Sequence, residues 1–192
     1  MKKSFLPLVI FTKYLIDIIP NYIHFITINK NEISIVPTNK NFKKLILFLL
    51  KHNKCKFTQL VDICGVDYPN RSDRFEVIYN LLSLSYNFRI RIKVKVNENI
   101  PIDSVSDIYK SALWLEREVW DMFGIFFSNH KDLRRILTDY GFDGYPFRKD
   151  FPQIGFVEVR YDDKKKHVLY EPVELAQEYR KFNFLSPWIQ VK

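Results

Sequence analysis

Phe88-Arg-Ile-Arg-Ile-Lys-Val-Lys-Val96 alternates without a break, with Phe88, Ile90, Ile92, Val94 and Val96 on one side and Arg89, Arg91, Lys93 and Lys95 on the other. Successive side chains of a strand point to opposite faces, so this stretch predicts a strand with one face on a core and the other on solvent or a neighbour. One-sided burial belongs to antiparallel sheets, because parallel sheets covered on both faces read as continuous apolar runs. Upstream, Phe57–Val66 and Arg74–Leu82 read as two more strands, with turn residues in Asp67–Asp73 and Ser83–Asn87. The three predict an antiparallel meander.

Towards the N-terminus, Leu8, Phe11, Leu15, Ile18 and Ile19 recur at helical spacing and Pro20 closes the run. Tyr22–Ile28 and Ile33–Val36 predict two short strands around an Asn29–Asn31 turn, and Phe42, Leu45, Ile46 and Leu49 a second helix. Downstream of the meander, Ser111 is the expected cap of a helix Ala112–Phe123 that Gly124 ends. The expected fold class is therefore α+β: a two-layer α/β domain over residues 1–123, in the order α-β-β-α-β-β-β-α, with a mainly antiparallel sheet. From Gly124 to Lys192, Gly, Pro and aromatic residues interleave with charges, and only Phe156–Tyr161 with His167–Glu171 suggests a hairpin, around Asp162–Lys166. So long an irregular stretch needs a surface to lie on, and its aromatic content argues against disorder. Residues 124–192 are expected to form an extended arm that wraps a partner.

The formal charge of +8 is unevenly spread. Residues 1–60 hold ten Lys against Asp17 and Glu32, whereas the remainder balances at twenty basic and twenty acidic side chains. A generally basic nucleic-acid binder is disfavoured. The 89–95 strand face could serve an RNA-binding or ribosomal protein, but single-strand platforms interleave aromatics with their basic groups, and Phe88 lies on the opposite face. The lysines of the first third leave a docking surface for an acidic partner open. Cys55 and Cys64 with four scattered histidines fall short of a disulfide framework, a zinc site or an iron–sulfur ligand set. Lys2 and Lys3 before an apolar stretch mimic a signal peptide, but Pro7, Lys13 and Asp17 interrupt it well before the ~20 residues of a membrane span. A bias towards Phe, Tyr, Ile, Lys and Asn is what AT-rich coding produces, as in organelle genomes.

In the helix Ala112–Phe123, about 100° per residue puts Ala112, Leu113, Leu115, Val119, Trp120, Met122 and Phe123 on one half, with Glu116 projecting among them. An acid there needs a cationic or hydrogen-bonding partner. Arg134 and Arg135 are the nearest candidates, while Arg117 and Asp121 are expected to pair on the opposite side. Glu116, Glu118 and Asp121 so close together also admit a general acid–base reading. Against it, no phosphate loop, nucleophile–base pair or metal-ligand cluster lies nearby in sequence, which favours a structural ion-pair node.

Glu116-Arg-Glu-Val-Trp-Asp-Met-Phe123, followed by His130, Arg134, Ile136 and Leu137, resembles the signature of the 30 kDa subunit family of respiratory complex I, called NADH dehydrogenase subunit 9 when mitochondrially encoded. The resemblance continues through Asp139–Gly144, Arg148-Lys-Asp-Phe-Pro152, Glu158-Val-Arg-Tyr-Asp162, Glu171-Pro172, Gln177–Arg180 and Ser186-Pro-Trp188. Val66-Asp-Tyr-Pro69 and Arg74–Tyr79 are also similar to the family, whereas the first sixty residues match only in pattern. Tyr145 stands where the family usually has His, and Gln153 replaces a usual Leu.

The resemblance implies a structural and assembly subunit of the peripheral, hydrophilic arm of NADH:ubiquinone oxidoreductase. It implies that the chain has no catalytic, cofactor-binding or metal-binding residue and no redox centre of its own, with FMN, iron–sulfur clusters and ubiquinone carried by other subunits. The implied partners are other complex I subunits, especially the large quinone-site subunit of 49 kDa type, with no nucleic acid and no membrane span. The implied location is the matrix side of the mitochondrial inner membrane, with mitochondrial encoding. The implied structural and interface signature is Glu116, Arg117, Glu118, Asp121, His130, Arg134, Arg135, Arg148, Lys149, Asp150, Glu158, Arg160 and Trp188. A chloroplast or hydrogenase-type relative of complex I has similar subunits and stays open as an alternative.

Overall fold

The computed structural model describes residues 5–30, 32–38, 41–180, 182 and 188. Lys2, Lys3, Asn31 and the Ser186-Pro187 pair lie outside them. The described elements are α1 (Phe5–Ile18), β1 (Ile23–Asn29), β2 (Glu32–Pro37), α2 (Phe42–Lys51), β3 (Gln59–Asp67), β4 (Phe75–Ser83), β5 (Phe88–Val96), β6 (Ile102–Asp103), α3 (Ala112–Phe123), β7 (Phe127–Ser128), β8 (Val157–Asp162) and β9 (His167–Pro172). The chain divides into two compact units, residues 1–151 and 152–192. Residues 124–151 therefore pack with the α/β unit, past the expected boundary at Phe123, because carboxylates of that unit bind their backbone.

The fold of the first unit is the expected two-layer α/β arrangement with a mainly antiparallel sheet. Its five strands run in the order β1-β2-β5-β4-β3. The meander β3-β4-β5 is antiparallel, as the alternation predicts, with Ile90 opposite Leu81, Ile92 opposite Tyr79 and Val94 opposite Val77. The pairing of β2 with β5 is parallel. That contact is non-local: α2 carries the chain to the far edge, and two antiparallel returns bring β5 back beside β2.

The inward faces of β2, β4 and β5 meet the helices in one core. Ile33, Ile35, Leu45, Ile46, Leu49, Phe57, Phe75, Val77, Tyr79 and Ile92 are all fully buried there. Phe42 of α2 packs on Tyr79 of β4 with ring centroids 4.8 Å apart. Phe88 turns inward, edge-on to Phe11 of α1 at 5.3 Å. Helix α3 lies on β3, and Gly65 is what lets it approach: a Cβ there would stand 2.6 Å from the Phe123 ring. No helix among the described residues is long and apolar enough to cross a membrane.

Several local expectations need correction. Phe57 precedes β3 instead of opening it, because its N–H donates to Leu49 and its carbonyl accepts from Tyr109, which uses both backbone groups outside the ladder. Ser111 does not cap α3: its backbone is already helical and its hydroxyl donates weakly to the Leu60 carbonyl at 3.5 Å. Gly124 ends the helix as expected, at φ +76°. Ile18 is exposed, and Thr12 takes a buried place on α1, with its hydroxyl satisfied by the Leu8 carbonyl.

In the second unit β8 and β9 form the expected antiparallel hairpin, with Val159 opposite Tyr170 and Arg160 opposite Leu169. Val173 N–H closes it onto the Phe156 carbonyl.

Candidate functional site

Helix α3 presents two fully buried carboxylates, and each is held by a different loop. Glu116 accepts the Ser104 hydroxyl at 2.6 Å and the Val105 N–H at 2.8 Å, from the segment between β6 and α3. His130 stands against it, with Nε2 3.8 Å from Oε2. The Asp132 N–H donates to His130 Nδ1 at 3.1 Å, so the ring proton sits on Nε2, which points at the Leu113 carbonyl 3.3 Å away. Burial pushes the Glu116 carboxyl up to about 7, against hydrogen bonds from Ser104 and Val105 and the charge of Lys43. Burial likewise holds His130 below its ordinary value. Each of the two is hydrogen-bonded to its own loop, and burial disfavours the charged form of both. The expected arginine partners of Glu116 are elsewhere: Arg134 pairs with Asp132 at 2.9 Å and Arg135 with Asp121 at 3.3 Å.

Asp121 is the anchor of the chain beyond α3. One carboxylate oxygen accepts the N–H groups of Ile136, Leu137 and Thr138 at 3.1, 2.8 and 3.0 Å, and the other accepts the Thr138 hydroxyl at 2.6 Å and Arg135. Burial alone would raise this carboxyl, but the donors of Thr138, Leu137 and Ile136 outweigh it and hold it below the usual range. The expected Arg117–Asp121 pair does not form. Arg117 is buried instead, with Nε donating to the Arg134 carbonyl at 3.1 Å and its guanidinium 5.0 Å over the Trp114 ring. A helix facing a loop has no solvent side there, and the spacing rule for exposed helical pairs does not apply.

A third buried carboxylate, Asp67 at the end of β3, fastens the segment from 148 to 150. Arg74 grips it from across the β3–β4 turn through Nε at 2.7 Å and a second guanidinium nitrogen at 2.9 Å. The Lys149 N–H adds a bond at 2.8 Å. The Arg74 hydrogen bond, outweighing burial, holds Asp67 below the ordinary carboxylate range. Arg74 also pairs with Glu98 at 2.7 Å and Asp150 at 3.0 Å. Arg148 Nε donates to the Phe123 carbonyl at 2.7 Å. Tyr145 lies beside both arginines, 5.1 Å from Arg135 and 4.6 Å from Arg148 by ring centroid, so the aromatic that replaces the usual His makes cation–π contacts. A Cβ on Gly124 would collide with Tyr145 and Arg148, at 2.6 and 2.7 Å.

Of the thirteen signature residues, Glu116, Arg117, Asp121, His130, Arg134 and Arg135 converge on the two loops that flank α3. Arg148, Lys149 and Asp150 converge on Asp67 and Arg74. Glu118 is exposed on α3, away from both buried acids, which rules out one shared acid–base centre. In the second unit Arg160 pairs with Glu171 at 2.7 Å, Glu158 is exposed opposite Glu171, and Trp188 is 89% exposed. The sequence reading missed Asp67 and Arg74 as site residues; their signal was a carboxylate and an arginine at the two ends of one turn, where a hairpin brings them face to face.

Comparison with known proteins decides what this framework belongs to. The profile of the family described as "Respiratory-chain NADH dehydrogenase, 30 Kd subunit" matches residues 35–157. The chain belongs to that family. It is 51% identical to NADH-ubiquinone oxidoreductase subunit 9 of Reclinomonas americana over 93% of this chain and 87% of that one. It is 55% identical to a subunit of the NADH-quinone oxidoreductase of Rhizobium rhizogenes, over 84% and 80%, and 52% identical to the subunit of the same name in Rhodospirillum rubrum, over 83% and 75%. As a member of the 30 kDa family, the chain is a subunit of respiratory complex I, an NADH:quinone oxidoreductase. A structure of the archaeal membrane-bound sulfane sulfur reductase shares the fold at TM-score 0.66 and 22% identity, covering 77% of this chain and 87% of that chain.

The rival sites carry less. On the basic strand face Arg91 pairs with Glu32 at 2.9 Å and Lys93 with Glu76 at 3.4 Å, so acids of neighbouring strands take up two of its four cations. Among the described residues no group of three His, Cys, Asp or Glu is placed to hold a metal.

Proposed function

We propose that this subunit is a scaffold of the peripheral arm of complex I and carries no redox centre. In this reading residues 152–192 are the partner-binding arm, and the large quinone-site subunit of 49 kDa type is its partner. The observation that carries the reading is the β8–β9 hairpin. Its register puts Val157, Val159 and Tyr161 opposite Pro172, Tyr170 and Val168 on one face. Val157, Val159, Tyr161, Val168 and Tyr170 are each 50–60% exposed. The other face carries Glu158, Arg160, Asp162, His167 and Glu171, with Leu169 opposite Arg160. A two-stranded ribbon is marginal alone, and an apolar face of this kind gains its stability from a covering surface.

Asp121 and Asp67 do the complementary work of fixing the chain after α3, and Glu116 the segment before it, as a rigid base. Electron transfer depends steeply on cofactor placement, so a rigid scaffold serves catalysis by positioning the neighbours that hold FMN, iron–sulfur clusters and ubiquinone. The matrix face of the mitochondrial inner membrane and mitochondrial encoding complete the reading, supported by the Reclinomonas relative and the AT-type composition. The test is Val159→Glu with Tyr170→Glu in the full chain, read by circular dichroism and by native gels of the assembling complex. The first unit is expected to keep its fold while assembled complex is lost. Wild-type amounts of complex, or a chromophore that stays bound to the purified chain through gel filtration, would overturn the proposal.

A further inference from the structure

The hairpin lies in the second unit, and the first unit has a feature of its own that this reading leaves unused. Residues 135–144 have no helix or strand, yet they are pinned along most of their length. The Arg135 guanidinium closes the loop on itself with two N–H bonds to the Gly144 carbonyl, each 3.0 Å. Asp121 holds the N–H groups of Ile136, Leu137 and Thr138 and the Thr138 hydroxyl. At the tip the Phe142 N–H donates to the Asp139 carbonyl at 3.2 Å and the Tyr140 N–H to Asp139 Oδ1 at 2.8 Å. Phe142 then turns back onto Phe151, with ring centroids 6.0 Å apart.

Ordering a loop costs backbone entropy at every residue, and a simple connection needs no such set of bonds. Nor does the order bury the side chain at the tip. Tyr140 is 100% exposed, and Leu137, three residues before it, is 61% exposed. Among the described residues the Tyr140 side chain has no hydrogen bond and no ring contact. What the bonds do achieve is an aromatic ring held ready at a fixed place, which lowers the entropic cost of filling a pocket. Tyr suits that use, because its ring fills an apolar space while its hydroxyl finds a polar partner.

The charges around the tip select the occupant. Asp139 and Asp143 are exposed on either side of Tyr140 in sequence, and Asp143 has no ion pair among the described residues. The nearest cations in sequence, Arg134 and Arg135, are paired with Asp132 and Asp121. An acidic tip is repelled by an anionic lipid surface, and a second copy of the chain would set like charges against each other across a two-fold contact.

We propose that Tyr140 is an anchor which the first unit inserts into a pocket of another subunit of the complex, apolar in its walls and basic at its rim. The walls take the ring, Leu137 adds apolar area, and the rim cations meet Asp143 in a negative potential to which Asp139 adds. This inference rests on membership of complex I but not on the hairpin: it is a second contact, made by the other unit.

The test compares the free full chain with detergent-solubilised complex. Tetranitromethane is expected to nitrate Tyr140 in the free chain and to reach it about tenfold less, or lower still, in the complex. A photo-reactive benzoylphenylalanine at position 140 is expected to link to one segment of one other subunit, with Lys or Arg beside the link. Tyr140→Ala and Asp143→Lys should each leave the urea midpoint of the free chain unchanged and lower the amount of assembled complex, about tenfold or more for Tyr140→Ala. Equal nitration in free chain and complex overturns the proposal, as do wild-type amounts of complex with Tyr140→Ala. A lowered urea midpoint overturns it too, since the ring would then be packing within its own chain. Links to a second copy of this chain or to lipid replace the basic pocket with another occupant and also overturn it. The hairpin variants leave residues 135–144 intact and Tyr140→Ala leaves the hairpin intact, so either contact can fail while the other stands.

Discussion

Replacing Glu116 by glutamine should make the chain more stable, and increasingly so as pH rises. In the fold the carboxyl is buried and titrates near 7, against an ordinary value of 4.5. Between those values the folded chain binds the proton and the unfolded chain does not. The stability this contributes is complete below the unfolded value and is lost as pH rises through the folded one. At about 1.4 kcal/mol per unit of difference, the loss by pH 8 is roughly 3 kcal/mol. Glutamine keeps one oxygen to accept the Val105 N–H and can turn its amide N–H to the Ser104 hydroxyl oxygen, and it never ionises, so it escapes that loss. His130, held below its ordinary value, works with the opposite sign but stands in both proteins, so the difference between them reports Glu116.

Urea unfolding of both chains at pH 5, 6, 7 and 8 measures it. The stability gap should be near zero at pH 5 and open to about 2–3 kcal/mol at pH 8. Parallel pH profiles would refute the reasoning and mean that Glu116 is ionised throughout. Glu116→Ala separates polarity from titration: it strands the Ser104 hydroxyl and the Val105 N–H and should stand about 2–4 kcal/mol below Glu116→Gln at every pH.

Asp121→Ala should cost roughly 3–5 kcal/mol by urea unfolding, since it strands three backbone N–H groups and leaves Arg135 without its carboxylate. Because the carboxyl is held below the usual range, its contribution is present above the ordinary value near 4 and fades as pH falls through the lower folded value. Asp121→Asn should flatten that acid limb of the stability profile. Asp67→Ala and Arg74→Ala should each cost about 1.5–3 kcal/mol and show strong coupling in a double-mutant cycle, while complex that does assemble keeps normal NADH:quinone turnover per enzyme. Normal abundance with collapsed turnover would instead mark these residues as catalytic.

Much of this subunit was legible in its sequence. The alternation of Phe88–Val96 determined a one-sided strand, and β5 has those bounds, because a period of two admits no other geometry once one face is apolar. The apolar spacing and terminal glycine of Ala112–Phe123 likewise determined α3 from residue to residue. The sequence also showed that an acid at 116 had to be buried among apolar neighbours and needed partners. It did not show which. Only the tertiary structure decided that Glu116 turns to Ser104 and Val105, that Asp121 holds the loop at 136–138, and that Asp67 reaches Lys149, eighty-two residues away. The same holds for the parallel pairing of β2 with β5. For the three carboxylates the physical reason is common. Local periodicity says which way a side chain points, but a buried carboxylate accepts whichever donors the loops bring within about 3 Å, and most of those donors are backbone N–H groups that every residue carries.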